Sequence, residues 1–227
     1  MNPRVRPLAI LLSVAALLST WSCSTGFDRA EMQDVIRQTV TLPASHTDPT
    51  VTTRPPALPR PFRLGVFFSH RDFPTRQAIT PADWRSQDHD ALLHVLTPLQ
   101  GQHLLQDILV IAHSSVETPS VADIRKAAAR YGADVLLVVT GAGSVDRHHT
   151  WSALLYPTII GAYWASGTVS DALFLIDGSL WDVRSGVPYG SHRAEGLASQ
   201  SGPAASLDDR NVLAEAKASA LRILGAQ

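Results

Sequence analysis

Apolar and polar positions divide the chain into three stretches. Residues 8–18 are a continuous apolar run behind Arg4 and Arg6. Residues 42–61 show no periodicity and carry six prolines among threonines. From Phe62 onward, apolar positions recur at alternating strand and helix spacing. The run 62–68 (FRLGVFF) predicts a first strand. Thr80-Pro81-Ala82-Asp83 predicts a helix start, with a hydroxyl cap, proline in the first turn and an acid three positions on. That helix would bury Trp84, Leu92, Val95, Leu96 and Leu99. Residues 107–112 (DILVIA) predict a buried strand. Ser120 with Asp123 predicts the cap of a second helix that places Val121, Ile124, Ala128 and Tyr131 on one face and closes at Gly132. Residues 134–140 (DVLLVVT) are the strongest strand signal. After them the pattern turns to β only, with 144–156, 171–183 and 187–195 reading as strands and a turn at Arg184-Ser185-Gly186 joining the last two. A final helix starts near Ser206 and carries Val212, Leu213, Ala216, Ala220, Leu221 and Leu224. The expected order is β-α-β-α-β-β-β-α, an α/β domain with a mixed sheet over residues 62–227.

The first stretch reads as an export signal over residues 1–22. Its basic start and short apolar run suit a signal peptide, and a spanning helix needs about 20 apolar residues. Cys23, the one cysteine of the chain, follows directly. With Thr20-Trp21-Ser22 before it, the segment resembles the lipobox of bacterial lipoproteins, in which the cysteine becomes the lipidated first residue. Ser24 after it implies, by the same resemblance, the outer membrane. Residues 23–61 would then be a lipidated N-terminus and a tether. A helix over 27–40 is expected within it, with Met32, Val35, Ile36 and Val40 near one face. Its prolines favour extended, semi-rigid chain.

Composition narrows the function. The chain has 227 residues and a formal net charge of −1, so a strongly basic nucleic-acid footprint is excluded. One cysteine excludes an internal disulfide framework and a Cys-rich zinc site. Gly141-Ala142-Gly143 follows a strand as a dinucleotide fingerprint would, but β structure is expected after it. The phosphate-binding logic needs a helix N-terminus there, so a strand-to-strand turn is the better reading. Asp177-Gly178-Ser179-Leu180 falls inside a strand, which does not suit a nucleophile elbow. Nine histidines raise the question of a metal. The best trio is Asp90, His94 and one of His148 and His149, with His89 beside it. Neighbours on a strand face opposite ways, so at most one of His148 and His149 could join, and solvated histidines are the simpler reading. No catalytic residue, metal or cofactor is expected.

Residues 150–170 carry no charge and hold two tryptophans and two tyrosines. Two readings stay open. The stretch is a buried β excursion, or it is an exposed apolar hairpin for membrane contact or self-assembly. In the second case Trp151, Leu155, Tyr156, Ile159, Tyr163 and Trp164 form the contact surface.

The segment 129–139 (ARYGADVLLVV), a helix ending in Tyr-Gly-Ala-Asp that feeds an apolar strand, is similar to envelope lipoproteins of the curli secretion-channel and TolB amino-terminal type. Together with residues 152–163 (SALLYPTIIGAY) and 171–177 (DALFLID), it more closely resembles the rhombotarget lipoprotein family. That resemblance implies an envelope location and an α/β fold, and it brings no catalytic residue. The final residues 221–227 depart from the family's Gly-rich, apolar and basic tail, so processing of such a tail is not expected. The expected function is a non-enzymatic envelope lipoprotein that assists assembly, transport or surface anchoring through protein contacts, including self-association. It would be held by lipid on Cys23, facing the periplasm and without nucleic acid. A ligand- or glycan-binding envelope module is the alternative, and a hydrolase is the second.

Overall fold

The computed structural model describes residues 26–39, 57–58, 60–70, 79–149, 168–203 and 206–226. They form one α/β domain. In chain order the elements are α1 (Arg29–Thr39), β1 (Phe62–Phe68), β2 (Ile79–Pro81), α2 (Ser86–Gly101), β3 (Leu105–Val110), α3 (Val121–Arg130), β4 (Val135–His149), β5 (Thr168–Asp182), β6 (Pro188–Gly202) and α4 (Asp209–Gly225). The sheet order is β3-β1-β4-β5-β6, with β2 paired to β4 beyond the end of β1. β1 runs parallel to both β3 and β4, while β4, β5 and β6 form an antiparallel meander. No helix among the described residues is long and apolar enough to cross a membrane.

Alternation along β4 explains the two layers. Val135, Leu137 and Val139 face α2 and α4, in a core with Leu92, Leu96, Phe174, Val212, Ala216, Ala220 and Leu221. Leu136 and Val138 face the other way and pack with Val121, Ile124, Ala127 and Ala128 of α3 and with Trp181. Further along that second face, Met32 and Ile36 of α1 cover Ile79, Ala142, Leu173 and Leu175. Met32 is fully buried and Ile36 nearly so. The helix expected over 27–40 thus packs onto the sheet, although it falls within the segment 23–61 read as N-terminus and tether, because its apolar pair finds a complementary patch there.

Local signals gave α3 correctly. Ser120 caps it by accepting from the Asp123 amide at 3.2 Å, and Gly132 ends it at φ 79°. Tyr131 is a departure: it lies at the end of the helix and is 40% exposed. Asp123, held by Lys126, Thr118 and Ser120, has its pKa drawn down to about 2.

Four other expectations are corrected. Thr80-Pro81 does not start a helix. Ile79, Thr80 and Pro81 pair with Ser144, Gly143 and Ala142, on an edge where the missing proline N–H costs nothing. Helix α2 begins at Ser86, where the Asp88 carboxylate accepts from the Arg85 amide at 2.8 Å, and Trp84 precedes the helix and donates its indole N–H to the Ser69 carbonyl at 2.9 Å. Gly141 and Gly143 make no turn, since β4 runs through them without a break. A Cβ at Gly143 would lie 2.6 Å from Leu213 and 2.9 Å from Phe174, so close side-chain approach is what requires glycine there. Finally, β3 is an edge strand with an exposed side, not a buried one.

Candidate functional site

The described residues form two depressions of functional interest, and both follow from the topology. The helix after β1 packs on one face of the sheet and the helix after β3 on the other. Their departing chains leave a crevice at the carboxyl ends of these two parallel strands, where open α/β sheets place ligands. It measures about 370 Å³ and is lined by Phe68, His70, Asp83, Trp84, His89 and residues 110–113. His70 donates Nδ1–H to the Ala82 carbonyl at 3.1 Å, and His113 donates Nε2–H to the His70 carbonyl at 3.4 Å. A carbonyl only accepts, so these contacts place the proton on those ring nitrogens. His89 stacks on Phe68 with centroids 4.3 Å apart. Behind the crevice, Lys217 of α4 reaches Asp88 of α2 at 2.5 Å and the Asp83 carbonyl at 2.6 Å. Both charged side chains are about nine-tenths buried.

The second depression is a cleft of about 560 Å³ on the opposite face, where the sheet lies open between α1 and Tyr189. Alternation on β4, β5 and β6 brings Thr140, Asp177, Ser179, Ser191 and Arg193 to its floor. Its polar groups largely satisfy one another. Arg193 Nη2 donates to Asp177 at 3.0 Å, and Trp181 Nε1 donates to the Ser179 hydroxyl at 2.9 Å. Nearby, Tyr189 packs against the core beneath α2 and α4, and its hydroxyl donates to Asp182 at 3.0 Å. Burial, and then this bond to the carboxylate, push the Tyr189 phenol up to about 12. Asp182 is the converse. Burial raises its pKa, but the Ser185 hydroxyl and amide and the Tyr189 hydroxyl outweigh that and leave it below the usual carboxylate value.

The structure places the predicted candidates apart. Asp90 and His94 are exposed on α2. His148 lies near the far end of β4, opposite Val169, with Nδ1 3.7 Å from Asp171. Among the described residues no three His, Cys, Asp or Glu side chains converge as metal ligands would. Ser179 has an indole N–H on its hydroxyl, and no histidine lines its cleft. Cys23 and the six proposed contact residues, Trp151, Leu155, Tyr156, Ile159, Tyr163 and Trp164, lie outside the described residues. Sequence reasoning passed over His70 and His113. Their signal was available: each stands within three residues of the end of a parallel strand.

No protein-family model matches the chain, and no curated protein matches it significantly. Among solved structures, it is similar to the PelC dodecamer of Paraburkholderia phytofirmans, at 14% identity and a TM-score of 0.29, over 73% of this chain and 88% of that one. It is similar also to lipoprotein GNA1162 of Neisseria meningitidis, at 15% identity and a TM-score of 0.28, over 67% and 90% of the two chains. A third is the DUF330 protein XCC0632 of Xanthomonas campestris, at 16% identity and a TM-score of 0.30, over 82% and 90%. Likenesses of this size leave the functional reading to the chain's own residues.

Proposed function

We propose that this chain is a non-enzymatic lipoprotein of the bacterial cell envelope, anchored through Cys23 and acting through protein contacts in assembly, transport or surface anchoring. The observation that carries the reading is the state of the polar groups on the open sheet face. Among the described residues they are largely spent on one another, in the pairs Asp177–Arg193 and Trp181–Ser179, which suits a contact surface better than a reacting centre. The same domain leaves a 15-residue strand, β6, at the margin of its sheet. A solitary cysteine after a signal-like leader and a proline-rich tether suit a domain held off a membrane. The likeness to rhombotarget lipoproteins fits the same picture, with the outer membrane as the favoured location.

Cys23→Ser tests the anchor. The variant is expected to leave the membrane fraction or to accumulate as precursor, while the parent carries acyl mass on its first mature residue. An unmodified parent with unchanged fractionation would sink the lipoprotein reading.

A ligand-binding envelope module is the second reading, favoured by the crevice at the ends of β1 and β3. There, aromatic rings and two imidazoles oriented by backbone carbonyls border a space of small-ligand size.

A further inference from the structure

We infer that two copies of this chain join edge to edge through β6, antiparallel about a two-fold axis at Ala194, to make one continuous sheet. The inference rests on the protein-contact reading above and names the surface and the partner. Among the described residues β6 is a long edge: 15 residues with proline only at its first position and, past an irregularity at Tyr189, continuous pairing to β5 from Gly190 to Gly202. Edges of this length are usually blunted by charge, proline or a covering element, because their free N–H and C=O groups invite another strand. Here the charged side chains are few and arranged in a particular way. Of the alternate residues on the open face, Ser191, Arg193, Glu195, Leu197, Ser199 and Ser201, only Arg193 and Glu195 are charged, and Leu197 is 60% exposed.

Symmetry limits the registers. A two-fold axis perpendicular to the sheet keeps each face on its own side, so open-face residues meet open-face residues. Centring the pair on Arg193 sets arginine opposite arginine. Centring it on Glu195 sets glutamate opposite glutamate. Centring it on Ala194 sets Arg193 opposite the partner's Glu195, twice, and Ser191 opposite the partner's Leu197. Opposite charges facing across strands stabilise and like charges destabilise. Existing pairs extend the pattern, since Arg193 already holds Asp177 at 3.0 Å and Glu195 holds Arg29 at 3.1 Å. The joined sheets would carry an unbroken row of alternating charge, Asp177, Arg193, the partner's Glu195 and the partner's Arg29. Arg193 Nε, without a hydrogen-bond partner among the described residues, lies in that row.

The same axis suits the anchor. α1 lies on the open face and follows Cys23 closely in the chain. A perpendicular two-fold puts both copies of α1 on one side, so both lipids can enter one membrane. Two linked anchors hold far longer than one.

The test uses the full chain in detergent, followed by sedimentation over a range of concentrations. The parent is expected to dimerise. Arg193→Glu and Glu195→Arg each put like charges opposite twice and are expected to weaken the dimer roughly tenfold or more. An equimolar mixture of the two variants is expected to restore it, because both pairs facing across the seam between the copies are then opposite in sign. A misfolded variant would not be rescued by mixing. Independently, the double variant Ser191→Cys with Leu197→Cys should form intermolecular disulfides in membranes, because these positions oppose each other in this register and in neither neighbouring one. A dimer that is indifferent to both charge variants and gives no 191–197 disulfide would overturn the inference, leaving protein contacts through another surface. A parent that stays monomeric throughout would overturn it too, while acylation and fractionation of Cys23 report on the envelope reading by themselves.

Discussion

The two faces of the sheet are built by different means. On the closed face, α2 and α4 cover the middle of the sheet, and α4 comes unusually near β6. A Cβ at Gly196 would lie 1.9 Å from the Ala216 carbonyl oxygen, so only glycine lets α4 settle on β6. A buried ion pair, Lys217–Asp88, then fixes α4 to α2. On the open face, α3 and α1 cover separate parts of the sheet, and a cleft lies open beside α1. The two large side chains that seat α1 most deeply are Met32 and Ile36. The difference assigns roles. A face with no slack in its packing carries the stability of the domain. A face with spare surface and a lightly held helix is where contacts can be made or exchanged.

The largest effect that would test this division is the loss of the buried pair. Asp88→Ala leaves the Lys217 ammonium buried and unpaired, and is expected to cost about 3–5 kcal/mol in denaturant unfolding. A loss under 1 kcal/mol would show that the closed face tolerates rearrangement as the open one does. Gly196→Ala is expected to follow at about 3 kcal/mol, since backbone atoms of α4 must move and flexible side-chain ends do not take up the clash. An unchanged melting temperature would mean that α4 rides higher on the sheet than described.

Met32→Ala probes the open face. Removing this side chain should cost about 2 kcal/mol, at the low end for a buried methionine because the helix borders solvent. The effect should be local. Hydrogen exchange is expected to quicken in α1 while β4 and β5 keep the parent's protection, and uniform loss of protection would erase the distinction between the faces.

The smallest effect concerns pH at the Tyr189–Asp182 pair. The folded Asp182 pKa lies below its ordinary value of 3.8, so the stability it contributes is complete above that value. That contribution is lost as pH falls through the folded pKa. Asp182→Asn is expected to lower stability by about 1 kcal/mol at neutral pH, with the gap to the parent closing in acid. A gap that stays constant down to pH 2 would remove the carboxylate from the account.

Much of this architecture was legible in residues close together in sequence. The Ser120–Asp123 cap and Gly132 bound α3, the 3.6 spacing of Val212, Ala216, Ala220 and Leu224 marks α4, and Arg184-Ser185-Gly186 joins β5 to β6. Each of these signals acts within a turn or two of chain, so local chemistry is enough to read it. What the sequence could not show depended on distant partners. Thr80-Pro81 carries a good helix-start signal, yet the free edge of β4 beyond β1 claims it as a strand. Gly141 and Gly143 look like turn residues, but their small size serves Phe174, Trp84 and Leu213, which arrive from far along the chain. Met32 and Ile36 have the spacing of one helical face, and only the patch formed by Ile79, Ala142, Leu173 and Leu175 gives that face something to cover. His70 and His113 are 43 residues apart and share a crevice because β1 and β3 are neighbours in the sheet. Which edge stays open, and which charges stand along it, was likewise decided by strand order, a property of the assembled sheet and not of any one segment.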